Sequence, residues 1–212
     1  QIPIDLIVGT KNRGRSSAFS QNFHPILPEE PEFAHKWVEL YKAQMDEGIR
    51  DPIKVYEFMN KFYVEEGNKR VSVMRHFGAP RIPGNVKRVL PPKSDDPRIK
   101  AYYEFIEFYK VSRLYTVQFR RPGDYAKLLS AMGKSPAELW TEAERRTFNS
   151  YFFYFREAFD ALNTKMEDVL PEEALLLWLE LYPYAELGRL TGTELKKSVA
   201  ALWDDMVSHS TD

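Results

Sequence analysis

Between residues 91 and 97 the chain reads Pro91-Pro92-Lys93-Ser94-Asp95-Asp96-Pro97. Each proline removes a backbone donor and fixes φ, so neither a helix nor a central strand can run through this segment. It separates two stretches of different periodicity and so sets the fold class. The reading is α+β: a mixed-sheet module over residues 1–91, followed by an aromatic-rich, mostly α-helical region over 98–212 expected to pack on it.

The front stretch alternates short apolar runs with turn residues. Ile2 to Val8 reads as a strand, and Gly9 to Ser17 as an exposed basic loop. Pro28 and Pro31 introduce a helix over about 32–47, with Phe33, Trp37, Leu40, Tyr41 and Met45 on the face expected to meet the sheet and Gly48 as its stop. Ile53 to Phe58 and Phe62 to Glu65 read as strands joined by a hairpin at Met59-Asn60-Lys61. Asn68 to Phe77 is a helix closed by Gly78, and Ile82 to Leu90 is a β-rich run ended by Pro91.

Beyond Pro97 the pattern becomes helical. Helices are expected over 98–111, Pro122 to Met132, Pro136 to Leu162, Pro171 to Tyr182 and Thr193 to Ser208, with Leu114 to Phe119 as one more strand. Aromatic residues crowd this half, Tyr102, Phe105 and Phe108 in one helix and Phe148, Phe152 and Phe155 in another. They suit helix packing, and equally a surface for a protein partner.

The net charge of -1 averages a mildly basic front, with 15 Lys/Arg against 11 Asp/Glu in residues 1–93, and an acidic back. That surplus is enough for a local phosphate pocket and short of a dedicated DNA-binding face. No cysteine is present, which removes thiolate chemistry, and His24, His35, His76 and His209 are scattered, so no structural metal is expected. No apolar run is long enough for a membrane helix, and a cytoplasmic protein without membrane contact is expected. The chain opens at Gln1 in mid-strand without Met, which reads as a piece of a longer protein.

One motif carries chemistry. In Tyr63-Val64-Glu65-Glu66-Gly67-Asn68-Lys69-Arg70 a strand ends, glycine turns the chain and a helix begins. Free N–H groups and the positive end of the helix dipole converge there, which suits an anion. Gly67 admits a phosphate to the backbone, and Lys69 and an exposed Arg70 add charge. On spacing alone, Lys69 and Arg70 are read either as phosphate ligands or as ordinary solvated residues of a first turn.

Taken in order, the segments Ile2-Pro3-Ile4-Asp5-Leu6-Ile7-Val8, Lys11-Asn12-Arg13-Gly14-Arg15, Glu47-Gly48-Ile49-Arg50-Asp51-Pro52-Ile53-Lys54-Val55 and Gly67-Asn68-Lys69-Arg70 resemble the boxes of the ParB N-terminal and sulfiredoxin-like superfamily, over about residues 2–91. The resemblance implies phosphate or nucleotide binding by Arg13, Arg15, Gly67, Asn68, Lys69 and Arg70. Asn68 stands where sulfiredoxin has its catalytic cysteine, so that activity is not implied. Glu66 matches a carboxylate of the related free-serine kinases, whose paired histidines are here Asn68-Lys69. A looser likeness is to bacterial cytosolic proteins in which such a module precedes a periplasmic-binding-type domain.

Three functions are weighed. In the first, the module binds a nucleotide triphosphate with Mg²⁺, or a smaller phosphate, and the ligand changes how the helical half docks. In the second, Glu66 makes it a Mg²⁺-dependent nucleotidase or kinase. The third is a ParB-like DNA-binding regulator, with Tyr125 to Leu139 as helix-turn-helix; Glu138, Glu142 and Glu144 would then face phosphates, which disfavours it.

Overall fold

The computed structural model describes residues 1–11, 19–20, 22–26, 31–162 and 169–209, and the chain divides into two compact units, residues 1–93 and 94–212.

The first unit is α+β. It runs β1 (Ile2–Pro3), a 3-10 turn (Ile4–Leu6), β2 (Ile7–Thr10), α1 (Pro31–Asp46), β3 (Ile53–Phe58), β4 (Lys61–Glu66), α2 (Asn68–His76), β5 (Arg81–Ile82) and β6 (Gly84–Arg88). β1 and β5 form an antiparallel pair; the larger sheet has the order β2-β4-β3-β6, mixed because β2/β4 and β3/β6 are parallel and β3/β4 antiparallel.

Two expected strands are each broken, for identifiable reasons. The Ile2 to Val8 run bends at the 3-10 turn, where Arg75 donates to the carbonyls of Ile4 (3.1 Å) and Ile7 (2.6 Å). Burial of that guanidinium lowers its pKa. The Ile82 to Leu90 run divides at Pro83, which cannot donate to a ladder but whose carbonyl accepts from Ile53 N at 2.9 Å.

Strands β3 and β4 alternate buried and exposed residues, so that Ile53, Val55, Phe62 and Val64 share one inward face with α2's Val71 and Val73 in the same core. Glu57 also points inward and is fully buried, paired with Arg88 of β6 and accepting from Asn60 N at 2.9 Å. Met59 (φ 50) and Asn60 (φ 64) make the hairpin turn with two left-handed residues, the conformation for which asparagine is favoured. The aromatic face of α1 meets α2: Trp37 Nε1 donates to Ser72 Oγ at 3.1 Å, and Tyr41 stacks on Phe77 with centroids 4.8 Å apart. This corrects the expected packing of that face on the sheet, and Met45 lies outside it, 64% exposed.

The second unit is helical, with α3 (Pro97–Ser112), α4 (Asp124–Ala131), α5 (Glu142–Leu162), α6 (Pro171–Leu181), a 3-10 turn (Tyr184–Gly188) and α7 (Gly192–His209). Asp96 caps α3 by accepting from Arg98 N at 2.8 Å, with Pro97 at the first helical position. The aromatics of α3 and α5 build the core with Tyr125, Trp140 and Trp178; Phe153 and Tyr154 remain more than half exposed.

Leu114 to Phe119 is not a strand, since the described residues of this unit include none for it to pair with. Its backbone is held instead by Tyr125, whose hydroxyl accepts from Phe119 N (3.2 Å) and donates to the Val117 carbonyl (3.3 Å). The helix expected from Pro136 begins only at Glu142. Thr141 N donates to the Glu144 carboxylate at 2.7 Å and Thr141 Oγ1 accepts from Glu144 N at 3.2 Å, a capping box that sets the start. The would-be recognition segment after Gly133 is therefore turn and coil rather than helix. Lys134 is drawn in there between Glu138 (2.6 Å) and Glu144 (2.7 Å).

Candidate phosphate site

At the end of β4 the backbone turns through Gly67 with φ +104, a region that residues with a Cβ rarely enter. Space forbids a side chain as well, because a Cβ there would lie 2.5 Å from Ile53 Cγ2. α2 then starts without a side-chain cap, so no capping group competes for the N–H groups of its first turn. This end of α2 opens on a cleft of about 770 Å³, bordered on the other side by α1 through Phe33, Lys36 and Leu40. Glu66, Gly67, Asn68, Lys69 and Arg70 all line it. Arg13 and Arg15 lie outside the described residues.

The four residues from Glu66 to Arg70 that carry functional side chains have different situations. Lys69 Nζ stands 4.3 Å from the centroid of the Phe33 ring, a cation–π contact that holds the ammonium beside the cleft. Arg70 is not exposed as expected. Its side chain is 21% exposed, and Nη1 donates to the carbonyls of Pro52 (2.7 Å) and Asp51 (3.3 Å). The guanidinium clips the turn before β3 to α2, and its Nη2 lies 4.0 Å from Glu66.

Asn68 is 6% exposed, and its Oδ1 is buried with no hydrogen-bond partner. Glu66 is exposed and bonded to Lys54 at 2.6 Å, and this bond holds its carboxyl below the usual carboxylate range. Glu65 is shifted the same way by Lys11 (3.1 Å) and by the Tyr56 hydroxyl (3.0 Å), which itself accepts from Lys11 at 2.7 Å. A base of lowered pKa has little proton affinity near neutrality, so neither carboxylate is suited to activating a hydroxyl.

The cleft also contains groups that the motif does not announce. Glu32, Glu39 and Asp51 join Glu65 and Glu66, so carboxylates outnumber the cations Lys36, Lys69 and Arg70 among its described lining. Lys36 is bonded to Glu32 one turn away on α1. Among the described residues no three His, Asp or Glu side chains are grouped to hold a metal ion. A Mg²⁺ ion accompanying a nucleotide would then be carried by the phosphates. Phe33 had a sequence signal, as the first member of the aromatic stripe on α1; Asp51 had none.

No family model matches the chain, and no curated protein matches it. Among the described residues no helix is long and apolar enough to cross a membrane.

Proposed function

We propose that residues 1–93 are a nucleotide- or phosphate-binding regulatory module of the ParB N-terminal and sulfiredoxin-like type, with the phosphate of its ligand at the Gly67–Arg70 turn. The observation that carries this reading is Gly67, left-handed and without room for a Cβ, at a strand-to-helix junction that opens on a cleft. The order of the resembling segments adds support: they fall on β1 to β2, on the end of α1 and the start of β3, and on the first turn of α2. Binding without turnover is favoured because Glu66 is ion-paired to Lys54 and is a weak base. The cleft adjoins both α1 and α2, so a ligand there stabilises their packing, which is a means of signalling occupancy to a protein partner.

A thermal-shift screen of CTP, ATP, GTP, ADP and inorganic phosphate, with and without Mg²⁺, tests the reading, because a ligand that binds only the folded state raises its melting temperature. A shift that is lost in Lys69→Ala is the expected result. No shift with any of these compounds would remove the phosphate reading.

A further inference from the structure

The unpartnered oxygen of Asn68 says more about the ligand than the turn does. A buried amide oxygen without a donor is costly, and few are left so in folded proteins. Its direction follows from its place on α2. Four residues on, Ser72 accepts from Trp37 of α1, and four further His76 packs on the rings of Trp37 and Tyr41, both with centroids 5.8 Å away. Residues spaced by four share a helix face. Asn68 therefore begins the stripe that faces α1, at the end where Phe33 and Lys69 border the cleft that Asn68 itself lines.

An ionised phosphate only accepts hydrogen bonds, so a bare phosphate at the first turn of α2 leaves this oxygen unsatisfied. The cleft, about 770 Å³, is also far larger than a phosphate ion and in the range of small-molecule sites. We infer that the ligand is a phosphate ester whose organic part carries a hydroxyl, a sugar phosphate or the ribose phosphate of a nucleotide, with that hydroxyl donating to Asn68 Oδ1. The inference rests on the phosphate reading above and adds the second half of the ligand.

The test is calorimetric titration of the whole chain with methyl phosphate, ribose 5-phosphate and AMP, repeated on Asn68→Leu, which keeps the side-chain size and removes the acceptor. The unaltered chain is expected to prefer ribose 5-phosphate or AMP to methyl phosphate by about tenfold, the worth of one good hydrogen bond. Asn68→Leu should lose that preference while binding methyl phosphate as before. Whichever of ribose 5-phosphate and AMP binds more tightly identifies the source of the hydroxyl. Equal binding of all three by the unaltered chain, or a preference that survives in Asn68→Leu, overturns the inference but leaves the phosphate reading standing. Failure of all three, and of inorganic phosphate, overturns both. The ligand comparison on the unaltered chain decides the matter even if the variant does not fold.

Discussion

Arg70 Nη1 donates to the carbonyl of Pro52 at 2.7 Å across eighteen residues of sequence, so the side chain that the motif offers to a phosphate is engaged in holding β3 to α2. An arginine in this position cannot be removed without consequence for the fold. Arg70→Ala is expected to lower unfolding stability by about 1.5 to 3 kcal/mol, the range for hydrogen bonds to charged groups. Urea denaturation measures it, and an unchanged midpoint would show that the clip contributes nothing.

Gly67→Ala tests the turn itself. The added Cβ meets Ile53 Cγ2 at 2.5 Å, and the backbone must hold φ +104 with a side chain present. Strain of this kind costs on the order of 1 to 3 kcal/mol before any clash is counted. The variant should melt at a lower temperature than the parent, and a melting temperature equal to the parent's would mean that the turn relaxes without cost.

Arg88→Ala removes the cationic partner of Glu57, a carboxylate with no solvent exposure. Breaking a buried ion pair from one side typically costs about 3 to 5 kcal/mol, because the remaining charge stays desolvated. Arg88→Ala with Glu57→Gln should recover part of that loss. A double variant no more stable than Arg88→Ala would show that the charge is not what destabilises the single one.

In the second unit, burial in the first turn of α6 pushes the Glu172 carboxyl up from its ordinary 4.5 to about 7, against the pull of Arg156. A carboxyl with a raised folded-state pKa binds its proton more tightly when folded. Its contribution to stability is therefore complete below about pH 4.5 and is lost as the pH rises through about 7. The loss is at most about 3 kcal/mol. Glu172→Gln should flatten the pH dependence of unfolding over that window, and a slope that is the same in both proteins would show that another group titrates there.

Much of the fold was legible because its signals are local. The prolines at 91, 92 and 97 mark the break near residue 93, and Asn60 marks the hairpin. Gly67 before Asn68 marks the start of α2. Thr141 and Glu144 carry an equally local start signal, three residues apart, and it was missed because Pro136 is a plausible helix start too. Leu114 to Phe119 has strand-like composition, but a strand needs a partner, and Tyr125 takes up that backbone instead.

By itself the sequence determined the α+β class, the division of the chain, and an anion-suited turn between β4 and α2, because φ preferences, missing donors and periods of two or four residues act within a few positions. Only the tertiary structure decided what the charged and polar side chains do. Arg70 serves a carbonyl, Arg75 bends the first strand, Glu66 is neutralised by Lys54, and Asn68 is left buried with an unpartnered oxygen beside a cleft. Partners this far apart along the chain are chosen by which surfaces meet when the core closes, and no local spacing encodes that choice.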